Sequence, residues 1–197
     1  GVFNPLVAPG AYVAKLTIDG QSLETPIAVR ADPRSNLSEQ DYKLKAEAMS
    51  RMNDLLSQTH ELINNSESAL KQLKELKERV KGGAEMGTDQ SVNGDIDKAI
   101  QKLTEYLDET LRRPPPNMGY RQRPRLREEI SSLMRAVDGA TARPSTQQGN
   151  RAVELGQETR DAALTLERIM SDDISKINDK LKDLPQVVIK KSTQKEM

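Results

Sequence analysis

The sequence predicts a mainly α fold, an antiparallel bundle of two long and two shorter helices with an N-terminal β-hairpin. Apolar residues recur at helical spacing over long segments, which gives each segment one apolar face. Of the 197 residues, 30% are charged and 3% are aromatic, a mixture that suits amphipathic helices better than a sandwich of sheets. The expected layout is a hairpin segment at residues 1–35, a helical bundle at 36–185 and a tail at 186–197.

Residues 11–30 predict a two-stranded antiparallel hairpin. Apolar residues alternate on both sides of Asp19-Gly20, a dipeptide that favours a two-residue turn. The resulting register places apolar pairs on one face and an opposite-charge pair on the other. These pairs are Leu16 with Leu23, Tyr12 with Ile27, and Lys15 with Glu24. Because an isolated hairpin is marginal in water, it must rest on the helices, pair with a neighbouring chain, or belong to a larger Ig-like sheet of which it is a remnant.

The first long helix is predicted from Ser38 to a stop at Gly82-Gly83. Ser38 and Asp41 have the spacing of a capping box, and an unbroken helix here would be about 65 Å long at about 1.5 Å per residue. Its apolar residues form two heptad rows and a widening set, so other helices must cover them. The rows are Tyr42, Met49, Leu56, Ile63, Leu70 and Ala48, Leu55, Leu62, Ala69, Leu76, widened by Met52, Leu73 and Val80.

Three further helices are expected. After a connector at residues 84–94, a second helix runs to Arg113; Pro124 fits the first turn of a third, which closes at Asp138-Gly139. A capping box of Ser145 and Gln148 opens a fourth, which extends to about Leu184. The predicted core residues are Ile96, Ile100, Leu103, Leu107, Leu111; Leu126, Ile130, Leu133, Val137; and Leu155, Ala162, Leu166, Ile169, Ile177, Leu181, Leu184. Residues 186–197 are predicted to be a polar tail interrupted by three apolar residues.

Few residue patterns suggest chemistry. His60 is the only histidine and the chain has no cysteine, so no transition-metal or nucleophilic arrangement can be assembled around it. His60 is therefore expected to be a solvated residue beside the apolar rows. Three carboxylate pairs are candidate acid/base couples: Asp95/Asp97, Glu128/Glu129 and Asp172/Asp173. The first two are interpreted as stabilising charges at helix starts, and we predict no catalytic, cofactor-binding or metal-binding residue.

The sharpest local feature is an arginine cluster around Tyr120, between the second and third helices. Its members are Arg112, Arg113, Arg121, Arg123, Arg125 and Arg127. Such a cluster can grip phosphates or RNA, or it can form salt bridges with acidic faces of the long helices or with a further domain. The chain has 30 basic and 30 acidic residues, which favours the salt bridges, and no nucleic-acid partner is predicted.

The ends and the hydropathy of the chain lead to two further expectations. No apolar run approaches the roughly 18 residues that a membrane span needs, so no span is predicted. Gly1 before Val2 is typical of a protease-cleavage scar, which predicts that this chain is a fragment of a longer protein.

Three stretches together resemble a known family. They are APGAYVAKLTIDGQSLETPIAVRADPR at 8–34, SEQDYKLKAEAMSRMNDLL at 38–56, and LREEISSLMRAVDGATARPSTQQ with RAVELGQETRDAAL within 126–164. The combination resembles the C-terminal region of bacterial exported BNR/Asp-box "glycosyl hydrolase" or sortilin-like β-propeller proteins. The family's Ig-like segment has the pattern PGxYxVxLxxxGxxxxxPxxVxxDPR. Its places are occupied here by Pro9, Gly10, Tyr12, Leu16, Gly20, Pro26, Val29, Asp32, Pro33 and Arg34.

The resemblance implies a non-enzymatic accessory module of a larger periplasmic or secreted protein, whose partner is the propeller portion of the same chain. The longer protein would carry a glycosyl hydrolase label, but no Asp-box motif (S-x-D-x-G-x-T-W) occurs in these 197 residues. The resemblance places any catalytic or sugar-binding residues in the propeller portion, so none transfers to these 197 residues. The alternative hypothesis is an interaction module that forms homo-oligomers through its long helices or hairpin edge. A glycosidase would need paired carboxylates in a cleft and aromatic sugar platforms.

Overall fold

The computed structural model describes residues 7–82, 90–116, 118–181 and 186–189. Within these residues the protein is mainly helical (66%), with four helices, the last formed by the segments Thr146–Arg168 and Ser175–Lys180 together, and an N-terminal antiparallel hairpin, which confirms the predicted fold class. The chain divides into two compact units. The first contains Gly1–Leu55 and Ile130–Glu154, and the second contains Leu56–Glu129 and Leu155–Met197. Each unit is described separately below.

The hairpin of the first unit has the predicted register. Strands β1 (Gly10–Ile18) and β2 (Gln21–Val29) pair with Ile18 opposite Gln21 and Leu16 opposite Leu23. The turn residues Asp19 and Gly20 have φ angles of 50° and 79°, the left-handed backbone that a tight hairpin turn requires. The predicted charge pair also forms, with 3.3 Å between Lys15 Nζ and Glu24 Oε1.

Helix α1 spans Glu39–Gly82, and its N-terminal part, up to Leu55, lies in the first unit. The capping box at its start is confirmed, because the Ser38 N–H donates to Asp41 Oδ2 (3.1 Å) and the Asp41 N–H donates to Ser38 Oγ (3.2 Å). Helix α4 (Thr146–Arg168) begins with the second predicted box, in which the Gln148 N–H donates to Ser145 Oγ at 3.2 Å.

Helix α3 spans Leu126–Asp138 and provides most of the first unit's core. The buried side chains of this unit are Met49, Met52, Ile130, Met134 and Val137. Leu133, predicted to be in the core, is only half-buried, because Met134 takes the inward position one residue later. Lys45 Nζ donates to the carbonyls of Asp138 (2.7 Å) and Ala140 (2.9 Å), so a cation from α1 caps the negative end of α3.

The second unit contains three helical rods. Helix α2 (Gln90–Tyr106) runs antiparallel to α1, since Lys77 pairs with Asp97 while Glu67 pairs with Arg112. Helix α4 continues into α5 (Ser175–Lys180), which is antiparallel to α2. The core of this unit consists of Ile63, Ala69, Leu73, Leu76, Val80, Val92, Ile96, Ala99, Leu103, Tyr106, Leu107, Leu111, Leu126, Leu155, Ala162, Leu166, Ile169, Ile174, Ile177, Leu181 and Val187.

The most deeply buried row of α1 was predicted in part. It contains Met52, Leu73 and Val80, which were predicted to be buried, together with Thr59 and Ser66, which were not. In the two predicted heptad rows beside it, Met49, Ile63, Ala69 and Leu76 are buried, whereas the other members, Leu56 and Leu62 among them, are half-buried. Thr59 and Ser66 were missed because they are polar. Their small side chains allow neighbouring helices to pack closely. The buried Ser66 hydroxyl has a hydrogen-bond partner, because its Oγ donates to the Leu62 carbonyl at 2.8 Å.

Two π-helical segments were not predicted. The first, Leu107–Leu111, ends α2, and the second, Ile169–Ile174, joins α4 to α5. A π turn inserts one extra residue into a helix. Asp173 follows Ile169 by four residues. In an unbroken α-helix, residues four apart lie on the same face, so the Asp173 carboxylate would point into the core beside Ile169. The inserted residue instead buries Ile174 and leaves Asp173 to pair with Lys102 at 2.7 Å.

Several predicted boundaries were wrong by a few residues. Helix α2 begins at Gln90, so residues 90–94 are helical and not connector; the rest of the predicted connector lies outside the described residues. The second helix, including its π segment, ends at Leu111 and not Arg113. Pro124 precedes α3, because Arg125 is the capping residue whose carbonyl accepts the Glu129 N–H (2.8 Å). The predicted end at Leu184 also falls outside the described residues.

Candidate functional site

The hairpin presents an apolar face to solvent. Its exposed side chains, here called the hairpin face, are Leu16 (58% exposed), Ile18 (60%), Leu23 (74%) and Ile27 (46%). They share one face because successive side chains of a strand point to opposite sides and the register brings the two strands into alignment. Exposed contiguous apolar surface on a protein marks an interaction site or an aggregation hazard.

The exposure of the hairpin face decides among the three predicted arrangements. A hairpin resting on the helices would bury this face, so that arrangement is wrong for the described structure. Pairing with another chain and membership of a larger sheet both remain predictions. The described sheet has two strands, so each strand has one unpaired edge at which a further strand can add.

The arginine cluster surrounds the loop that joins the Leu107–Leu111 π segment to α3. Arg112, a member of this cluster, forms a salt bridge with α1. Its Nε lies 3.1 Å from Glu67 Oε1, its Nη1 lies 3.1 Å from Asp108 Oδ1, and its side chain is only 15% exposed. One guanidinium therefore joins α1 to the π segment, which confirms for Arg112 the predicted salt bridge with a long helix.

Arg125 holds the other side of the same loop. Its side chain is 9% exposed, with Nη2 at 2.7 Å from Glu109 Oε2, and its Nε donates to the Asp108 carbonyl at 2.8 Å. Carbonyls at a helix end need such donors, because they have no partner within the helix. This contact was not visible in the sequence, since it depends on the π segment that turns Asp108 toward the loop.

Glu128 is the acidic centre of the cluster. Its carboxylate accepts the backbone N–H of Arg113 (3.0 Å) and of Arg125 (3.1 Å), and Arg127 Nη2 lies 2.7 Å away. Glu128 therefore caps the start of α3, binds the backbone at both ends of the loop and pairs with the charge of Arg127. The interpretation of Glu128 and Glu129 as helix-start charges is confirmed, because both lie in the first turn of α3.

The outward part of the cluster is small. Arg121 lies over the Tyr120 ring at 5.3 Å from its centroid, and both residues are exposed. Arg123 is also exposed and lies 3.3 Å from Glu109 Oε2. A phosphate reaching this surface would have to compete with Glu109, while the inner guanidinia already bind carboxylates and carbonyls. The geometry therefore makes the cluster a clamp for the loop.

Of the other candidate residues, Asp95, Asp172 and Asp173 line one cavity of about 450 Å³ together with three lysines, whereas His60 lies apart from them. His60 is exposed, and partial desolvation, followed by the nearby charge of Arg127, lowers its pKa. Asp95 pairs with Lys180 (2.6 Å). Like Asp97, it lies beyond the first turn of α2, so the interpretation of that pair as helix-start charges was wrong. The positions suit ion pairs with neighbouring helices instead.

Neither a metal centre nor a membrane span is found in the described part of the chain. No group of three or more acidic or histidine side chains there is arranged to hold an ion. None of the described helices is both long and apolar enough to traverse a bilayer. Comparison of the chain with family models, curated proteins and solved structures found no match.

Proposed function

We propose that this chain is a non-catalytic accessory module of a larger exported β-propeller protein, and that the hairpin face joins it to the propeller portion. The resemblance of residues 8–34 to an Ig-like segment supports the choice of partner. One structural observation supports the choice of surface: the helices bury most of their apolar stripes, whereas one face of the hairpin leaves four large apolar side chains in water.

The hairpin face is large enough to support docking within one chain. Full burial of a large aliphatic side chain contributes about 1.5–3 kcal/mol. The four side chains are roughly half to three-quarters exposed, so covering them would contribute about 4–7 kcal/mol. Free partners would lose much of this to the entropy of association. A partner in the same polypeptide is already at high effective concentration, so a surface of this size is sufficient.

Thiol labelling tests the proposal. The chain has no cysteine, so Leu23→Cys introduces a single thiol into the hairpin face, and Val153→Cys introduces a matched exposed thiol on α4. Labelling rates are compared between this chain and the longer protein encoded by its native gene. We expect at least tenfold protection of position 23 in the longer protein and none at position 153. Equal rates at position 23 in both proteins would refute docking through this face.

Self-association is the alternative function, favoured by the open hairpin edges. Sedimentation velocity over about a hundredfold range of concentration distinguishes the two hypotheses. A monomer at all concentrations counts against the alternative. A dimer that the double substitution Leu16→Lys and Leu23→Lys dissociates would replace the proposed function by a homo-oligomeric module.

The proposal also expects no glycosidase activity from this chain. A panel of aryl glycosides provides the assay, with release of the chromophore as the signal. Turnover that disappears in the Asp95→Asn and Asp173→Asn double variant, whose two carboxylates line one cavity, would overturn the non-catalytic assignment, because loss on mutating a carboxylate pair is characteristic of glycoside hydrolysis.

A further inference from the structure

A short apolar segment, residues 186–189, is bound to the helices of the second unit by two side-chain amides. Asn178 Nδ2 donates to the Val187 carbonyl (3.0 Å), and the Val187 N–H donates to Asn178 Oδ1 (2.9 Å). Gln72 does the same for the next residue, donating to the Val188 carbonyl (2.8 Å) and accepting its N–H (2.9 Å). Each amide thus makes the pair of hydrogen bonds that a neighbouring β-strand would make.

The two amides lie on opposite sides of the segment. Asn178 belongs to α5 and Gln72 to α1, and they bind consecutive residues. Successive backbone amide and carbonyl pairs point to alternate sides of an extended chain, so this pattern requires an extended segment lying between the two helices. The Val187 side chain is 2% exposed, which makes it the buried anchor, whereas Val188 is exposed. Recognition therefore uses the backbone at two residues and one β-branched side chain.

The groove continues beyond the bound segment. An open cavity of about 780 Å³ lies between α1 and α4, and Ile189 forms part of its wall. Gln58 and Asn65 on α1 line it, facing Arg160 and Glu167 on α4. Within the described part of the chain, the side chains of Gln58 and Asn65 make no hydrogen bond.

The spacing of two α1 amides matches that of an extended peptide. Gln58 and Gln72 are fourteen residues apart, which places them on one side of α1 about 21 Å from each other. About six residues of an extended strand cover about 20 Å, and an even offset returns the backbone pair to the same side of the strand. A strand held by Gln72 would therefore present a backbone pair near Gln58, whereas the pair near Asn65, about three residues on, points away from α1. Within the described part of the chain, the amide of Gln72 is occupied by Val188 and that of Gln58 is not occupied.

We propose that this groove is a binding site for an extended peptide strand with a β-branched anchor residue, and that residues 186–189 are its tethered occupant. The seated segment defines the chemistry of the partner: a Val-Val-Ile strand that enters at Asn178 and continues toward Gln58. A tethered occupant is present at an effective concentration on the order of millimolar. It therefore masks the groove from a free peptide until it is displaced.

A peptide-binding assay tests the proposal in the full chain. The probe is a fluorescein-labelled peptide with the sequence of residues 186–191, QVVIKK. Val187→Asp places a charge at the buried anchor and should release the tethered segment, whereas Val188→Asp changes an exposed side chain and is the matched control. We expect anisotropy to show binding to the Val187→Asp variant that is at least tenfold tighter than to the wild type or to the control.

Substitution of the two side-chain amides that bind the segment, Gln72 and Asn178, provides a second test. Gln72→Ala or Asn178→Ala in the Val187→Asp background should weaken peptide binding at least tenfold, because each removes two hydrogen bonds to the backbone. Absence of binding to a Val187→Asp variant with a wild-type circular dichroism spectrum would overturn the proposal. So would binding that both amide substitutions leave unchanged.

Hydrogen exchange provides a readout that does not require the Val187→Asp variant to fold. In the wild-type background, Gln72→Leu should accelerate exchange of the Val188 amide at least tenfold without affecting α2 amides. An unchanged rate would refute the amide contact. A wild-type dimer that becomes monomeric in Val187→Asp would assign the groove to the segment of a second copy and overturn the tethered arrangement.

Discussion

The π segment Ile169–Ile174 leads to the sharpest stability prediction. It carries one residue more than an α-helix would need, so deleting an exposed residue within it should convert it to a regular α-turn. Ser171 is the residue to delete, because it is exposed and, among the residues that the structure describes, its hydroxyl bonds only to Arg168 and Asp172. The buried residues beyond it, Ile174 and Ile177, would keep their inward direction.

A matched deletion in α1 should reduce the free energy of unfolding much more than the deletion of Ser171. Lys71 is exposed, and α1 has no π segment to absorb the change. Its deletion rotates the part of the helix after residue 71 by about 100° relative to the part before it. The buried side chains of Leu73, Leu76 and Val80 would then point away from the core. At about 1.5–3 kcal/mol each, the loss is about 5–9 kcal/mol. This is comparable with the entire stability of an ordinary domain.

Urea unfolding followed by circular dichroism measures both deletions. We expect deletion of Ser171 to change the free energy of unfolding by less than about 1 kcal/mol and deletion of Lys71 to leave little folded protein. Similar losses in the two variants would refute the account of the π segment as an inserted residue that keeps Ile174 inward.

Three other substitutions have defined outcomes. Arg112→Met should cost about 1–3 kcal/mol in urea unfolding, because two partly buried carboxylates lose their partner, whereas Arg121→Met on the exposed ring stack should cost less than about 0.5 kcal/mol. Tyr106→Phe should cost about 1 kcal/mol by the same assay, since it removes the buried hydrogen bond to the Ala162 carbonyl (2.8 Å). Hydrogen bonds from the side chain and then the backbone of Ser38 lower the pKa of Asp41. The stabilisation by this carboxylate is thus complete above its unfolded pKa of about 3.9 and lost as pH falls through the folded value. Asp41→Asn should flatten the stability curve in that acidic range, and an unchanged slope would contradict the assignment.

Features that depend on neighbouring residues could be predicted from the sequence. The Asp19-Gly20 turn determines the strand register, because both residues must adopt positive φ angles there and the alternating pattern then fixes which side chains face each other. The caps at Ser38 and Ser145 are equally local. Each needs only a hydroxyl and an acceptor three residues later.

Features that depend on packing could not be predicted in the same way. Thr59 and Ser66 look like surface residues until a neighbouring helix covers them. The π segment is invisible to a regular period, although the gap between Ile169 and Ile177 in the predicted stripe was a signal of irregular geometry. Gln72 and Asn178 were missed because a surface amide has no sequence signature of its partner. The recurrence of Gln58 and Gln72 on one side of α1 was the available indication.

The family resemblance and the function that it implies stay predictions, because the comparisons found no match that would test them. The structure contributes the surfaces on which such predictions can be tested. The hairpin face and the groove beside α1 lie on different units. They can therefore be mutated separately, and failure of one proposal leaves the other intact.

Thermal unfolding of the double variant Leu16→Asp and Leu23→Asp tests most directly whether the hairpin face is open in this chain. We expect a melting temperature within about 2 °C of the wild type, because exposed substitutions cost little. A decrease of about 8 °C or more would mean that these leucines are buried in solution, which would contradict the proposed docking surface.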